Sequence, residues 1–170
     1  MIRGYIASTL DGYIATADHS FSFLDPYPAE DAGYDAFYAE IGTLVMGRIT
    51  YEVCRKAMDH WPYAGKRLIV VASRPIAGLP ADADTWTAGV DALIDHLRTD
   101  VKPDVWIVGG GRLQQAFIDR DALDRLDQFI VPVLLGGGVP LYPEAKGPKT
   151  LKLAEVGRFG EIAHLRLERA

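Results

Sequence analysis

Apolar residues recur along the chain with two alternating periods. Ile2 to Ser8 reads as a strand, and Tyr34, Phe37, Tyr38 and Ile41 follow the i, i+3, i+4, i+7 spacing of a helix with one buried stripe. Thr43 to Met46 reads as a short strand, followed by a helix from about Ile49 to His60. The unbroken run Leu68 to Ala72, ended by Pro75, suits a strand buried on both faces, as in parallel sheets. Val90, Leu93, Ile94 and Leu97 form another helical stripe, and Val105 to Val108 another buried strand. Gly109 to Gly111 then lead into a helix carrying Leu113, Ala116 and Phe117, and a strand spans about Asp127 to Leu135. Leu151 and Leu153, then Ala163, Leu165 and Leu167, alternate with polar residues around Gly157 and Gly160, which predicts an antiparallel hairpin. Strands alternating with helices predict a three-layer α/β domain with a mostly parallel sheet and an antiparallel C-terminal edge. No repeat or linker divides the chain, so residues 1–170 are expected to form one domain.

Composition narrows the class. With 170 residues and 49% hydrophobic, the chain can bury a core without a metal or disulfide staple. Its one cysteine, Cys54, fits a reducing compartment, and the expectation is cytoplasmic. Asp11 interrupts the apolar start too early for a secretory core. The longest uncharged run, Gln128 to Pro143, is broken by prolines and glycines and is too short to span a bilayer. The net charge is −5, divided as −4 over residues 1–85 and −1 over residues 86–170. No Lys or Arg lies between Arg3 and Arg48, whereas Asp11, Asp18, Asp25, Glu30, Asp31, Asp35 and Glu40 do. Nucleic-acid binding needs clustered cations, so nucleic acid and membrane are both excluded as expected partners.

Chemistry is concentrated at strand ends. In VGGGRLQQAF, residues 108–117, a buried strand meets three glycines and a helix start, a geometry that admits a phosphate to free backbone N–H groups and the positive end of the helix dipole. A tight structural turn uses the same residues, and Gln114 breaks the G-x-G-x-x-G pattern. LVMGRITYE, residues 44–52, repeats the junction with Gly47, Arg48 and Thr50, and a third strand ends at Ser73 and Arg74. In open α/β sheets this edge is where ligands bind. The four histidines share no metal-ligand spacing, and His164, on the same strand face as Arg166, reads as structural.

GRITYE, VGGGRLQQAF, the opening STLDGYIA and PVLLGGGVPLY at residues 132–142 together resemble the dihydrofolate-reductase-like superfamily. The branch resembled includes the C-terminal reductase domain of the bifunctional riboflavin-biosynthesis deaminase-reductase. The resemblance implies the three-layer α/β/α dihydrofolate-reductase-like fold. It also implies NADPH-dependent hydride transfer to a C=N or C=O of a small heterocyclic or sugar-derived substrate, similar to 5-amino-6-(5-phosphoribosylamino)uracil reductase. On this reading Gly47, Arg48 and Thr50 hold cofactor phosphates, and Ser73 and Arg74 meet the adenosine 2′-phosphate. Gly109, Gly110, Gly111, Arg112 and Leu113 line the pyrophosphate and nicotinamide. A homodimer is implied, with the segment Phe129 to Tyr142 and the C-terminal hairpin as its place. A genuine dihydrofolate reductase, and an NADP-binding protein without catalysis, are the alternatives.

Two carboxylates are catalytic candidates. Asp31 falls at the edge of the first helix's buried stripe, where a helix-start charge is equally well placed, and Asp35 lies further toward solvent. Asp11 belongs to the S-x-D-G loop that the resemblance puts near nicotinamide and substrate, although an Asp-Gly turn explains it too. Tyr13 stands where riboflavin-type members carry Lys or Arg, which, with the cation-free stretch, speaks against a phosphoribosyl substrate.

Overall fold

The computed structural model describes residues 1–28, 32–57, 61–99, 103–143 and 147–170. Five parallel strands with apolar side chains on both faces set the architecture: β1 (Ile2–Thr9), β3 (Ile41–Gly47), β4 (Arg67–Val71), β6 (Asp104–Gly109) and β7 (Arg125–Val131). The short β5 (Ala83–Trp86) extends them, and β9 (Leu151–Phe159) and β10 (Ile162–Arg169) close the other side as an antiparallel hairpin. The resulting eight-stranded sheet runs β5-β4-β3-β6-β1-β7-β10-β9, and β2 (Tyr13–Ala15) with β8 (Val139–Pro140) form a separate two-stranded ribbon.

Side chains alternate across the pleat, so each strand feeds two cores. On one face Val45, Ile69, Ile107 and Leu126 pack beneath α3 (Val90–Thr99) and α4 (Gly111–Asp119) through Leu93, Leu97, Leu113, Phe117 and Ile118. On the other, Leu44, Met46, Leu68, Val70 and Trp106 meet Phe37 of α1 (Tyr34–Glu40), Tyr51 of α2 (Arg48–Ala57) and Tyr63. Phe129, Val131 and Ile162 continue that second face toward the hairpin. Each such fully buried side chain contributes on the order of 1.5–3 kcal/mol of transfer free energy. This is the three-layer α/β/α, dihydrofolate-reductase-like arrangement expected from the sequence.

The differences are local. Ile41, assigned by spacing to the first helix, begins β3, because the residue that completes the helical stripe is also the first to enter the sheet. The expected strand at 127–135 ends instead at Val131, and β2, β5 and β8 were not foreseen. Gly157 lies inside β9 rather than in the hairpin turn: a Cβ there would stand 3.2 Å from His164 Nδ1, so glycine leaves room for the imidazole. No helix among the described residues is long and apolar enough to cross a membrane.

Candidate functional site

The parallel strands deliver three of the sequence motifs to one edge. Met46 pairs with Gly109 across β3 and β6, and Gly47 pairs with Val71 across β3 and β4. A Cβ on Gly47 would stand 3.8 Å from the Gly109 carbonyl, and one on Gly110 would come within 3.3 Å of Thr50 Oγ1. Gly47, Arg48, Thr50 and Gly109 to Gly111 therefore form one small, backbone-rich surface. The Gly109–Gly110 peptide is cis. Two helices begin here, α2 at Arg48 and α4 at Gly111, and neither has an acidic residue in its first turn. Gly110, the N-cap of α4, makes no side-chain cap hydrogen bond, so the positive end of that helix is left to backbone groups.

Arg48 is exposed and its Nη1 donates to Glu52 Oε1 at 2.7 Å, a surface i,i+4 pair that another anion can displace at little cost. Ser73 and Arg74 are exposed in the loop after β4, and Arg112 is exposed on α4. Leu113 points the other way: its side chain is in the core under α4 and its N–H donates to the Gly110 carbonyl at 2.9 Å.

The loops after β1 and β7 are stitched together beside this surface. Asp11 is exposed, and its carboxylate accepts from the Thr9 hydroxyl (2.5 Å) and from the N–H groups of Gly136 (2.7 Å) and Leu135 (3.1 Å). The Thr9 hydrogen bond, then those from the two backbone groups, hold its carboxyl below the usual carboxylate range. Leu10 N donates to Val133 O and Leu141 N to Gly12 O, both at 2.9 Å, and β2 pairs with β8. Residues 133–141 thus form a strap. It crosses the start of α4 so closely that a Cβ on Gly111 would lie 2.5 Å from the Pro140 carbonyl oxygen. Asp31, with Glu30, lies outside the described residues, whereas Asp35 is exposed on α1.

Between the loop that follows β2 and helix α2 is an open cleft of about 400 Å³, lined by Asp18, His19, Phe21, Asp25, Val53 and Lys56 among others. A turn from Thr16 to Ser20 shapes its rim, with Thr16 N donating to Ser20 O at 2.9 Å and the Thr16 hydroxyl bonded to the Asp18 carboxylate. Sequence reasoning passed over the cleft as such. The one signal was the long stretch without cations, which supplies its outer wall.

A buried ionic centre lies further from this edge. Asp127, 2% exposed, accepts from Arg125 Nε (2.7 Å), His164 Nε2 (2.8 Å) and Arg166 Nε (3.0 Å), and Arg166 also pairs with Glu155. Burial works against its charge, but the three donors outweigh it and hold the carboxyl below its usual range. His164 stacks on Phe129 with centroids 4.7 Å apart. These contacts tie β10 to β7.

With this geometry in view, the likeness to known proteins is informative. YwjB of Bacillus subtilis strain 168, itself uncharacterised, is 34% identical over 167 residues, covering 98% of this chain and 96% of YwjB. YyaP of the same organism, also uncharacterised, is 25% identical over 166 residues, covering 91% and 86%. Among solved structures, a proposed riboflavin biosynthesis protein of Shewanella sp. PV-4 superposes with a TM-score of 0.87 at 25% identity, covering 99% of this chain and 98% of that one. The Thermotoga maritima diaminohydroxyphosphoribosylaminopyrimidine deaminase/5-amino-6-(5-phosphoribosylamino)uracil reductase shares the fold with a TM-score of 0.76 at 16% identity, and the match spans 56% of its length. The family model for the RibD C-terminal domain matches residues 2–165, and the chain belongs to that family.

Proposed function

We propose that this protein is an NADPH-dependent reductase acting on a small heterocyclic or sugar-derived substrate. The observation that supports this best is the meeting, at one sheet edge, of two helix starts free of acidic residues with the glycine backbones at 47, 109 and 110. Such a surface fits a dinucleotide: N–H groups and dipole ends suit its phosphates, and glycine backbones let it approach closely. Gly47, Arg48 and Thr50 would hold one part of the phosphate chain, Gly109 to Arg112 the other, and Ser73 with Arg74 the 2′-phosphate. When bound, the nicotinamide supplies the hydride.

What remains for the chain is to orient the substrate, exclude water and manage a proton. In this reading Asp11 is a fixed anionic clamp between two loops rather than the proton donor, because three hydrogen bonds stabilise its charged form. Asp31 is the proposed carboxylate facing the substrate. Leu113 contributes by supporting α4 from the core. We further propose a cytoplasmic homodimer.

A thermal-shift titration tests the reading. NADPH at a hundredfold excess over Kd should stabilise the fold by about 2.7 kcal/mol. Arg74→Ala should weaken NADPH far more than NADH. No shift with either NADP form overturns the proposal, and equal losses for both dinucleotides overturn the role of Arg74.

A further inference from the structure

We propose, resting on the reductase reading, that the substrate is a phosphate-free amino-substituted heterocycle with a neutral or cationic tail, and that the outer end of the α2 cleft discriminates against the phosphorylated analogue. The argument starts from α2. Thr50, beside Gly110, shares a helix face with Val53 and Ala57, both of which line the cleft. That face runs about 10 Å from the strand ends to the outer rim, at about 1.5 Å per residue. With Thr50 given to the cofactor's phosphates, a substrate held along the same face beyond them would carry its tail to the outer rim. In the substrate for which the Thermotoga maritima reductase is named, the tail is a phosphoribosyl group, which would bring a phosphate to the rim.

The rim of this protein is built for a different charge. Its lining carries two carboxylates, Asp18 and Asp25, with Lys56 and His19, and the chain has no Lys or Arg from residue 4 to residue 47 from which a phosphate clamp could be drawn. The Thr16 hydroxyl holds the Asp18 carboxyl below the usual range, so it is ionised at neutral pH. A phosphate dianion at this rim meets Lys56 but also the carboxylates of Asp18 and Asp25. An amino or hydroxyl group meets acceptors on Asp18 and Asp25, while Phe21 and Val53 offer apolar contact to the ring or sugar.

The test uses the full chain with saturating NADPH and two substrates that differ only in the phosphate: 5-amino-6-(5-phosphoribosylamino)uracil and the same compound after phosphatase treatment. NADPH oxidation should be at least tenfold more efficient, as kcat/KM, with the phosphate-free compound. Asp25→Lys should shift the ratio toward the phosphorylated compound by at least tenfold, chiefly through KM. Equal or reversed preference overturns the inference, as does a preference that Asp25→Lys leaves in place. Oxidation with neither compound, while NADPH still raises the melting temperature, overturns the substrate class but leaves the cofactor reading standing. Absence of any NADPH shift is the separate failure that removes the reductase reading itself.

Discussion

Asp127 shows how much a single buried charge can organise. Its four hydrogen bonds come from three side chains on two neighbouring strands, and two of those side chains are permanently cationic guanidiniums. Removing the carboxylate takes its ion pair from Arg125 and leaves Arg166 with Glu155 alone, beside a buried imidazole. Asp127→Ala should therefore cost about 3–5 kcal/mol at neutral pH, read from urea midpoints. Because the folded-state pKa is depressed, this contribution is complete above the unfolded value of about 3.9 and is lost as pH falls through the lower folded value. The gap between wild type and variant should close below about pH 4. A gap that persists there would mean that packing, not charge, carries the effect. Sequence alone could not show this centre, since Asp127 and His164 are 37 residues apart and neither sits in a motif. Arg48, Thr50 and the glycines at 109 to 111 were legible because a glycine cluster between a buried strand and a helix already constrains backbone geometry.

At the scale of elements, legibility followed length. β4 and α3, of 5 and 10 residues, carry either an unbroken apolar run or a full helical stripe, and both were read within a residue or two. β2, β5 and β8 have 3, 4 and 2 residues, too few for a period of two to declare itself, and they exist because a distant partner offers hydrogen bonds. The strap is the case that bears on the proposed site. Its 139–140 pairing with 13–15 and the Asp11 clamp are long-range, whereas the glycines that permit it are visible but ambiguous in sequence. Gly111→Ala would drive a Cβ into the Pro140 and Leu141 carbonyl oxygens, at 2.5 and 2.6 Å. We expect a loss of about 1–3 kcal/mol, with the strap displaced and NADPH affinity reduced. Unchanged stability and unchanged affinity would show that the strap moves aside freely and does not shape the proposed site.

For the molecule as a whole, the layers cover the sheet unevenly. α3 and α4 shield one face as far as β1 and β7, but the hairpin side exposes Val156 (65%) and Leu153 (55%), paired with Leu165 and Leu167. Burial of this apolar face against a second copy is the expected basis of the proposed homodimer. Sedimentation at micromolar concentration should give twice the mass of 18.6 kDa, and Val156→Asp with Leu153→Lys should give folded monomers. A wild-type monomer at that concentration overturns the assignment.

The margins of the sheet narrow how such copies can meet. At one end β5 offers only four residues; at the other, β9 is longer but carries Lys152, Glu155 and Arg158, and its register against β10 slips between Arg166 and Leu167. Short length, charge and an irregular backbone are the devices by which proteins prevent a foreign strand from extending a sheet. Growth by strand addition, the route to open-ended polymers, is thus discouraged at both borders. In the proposed homodimer, association would then be a closed, two-fold, face-to-face contact that stops at two.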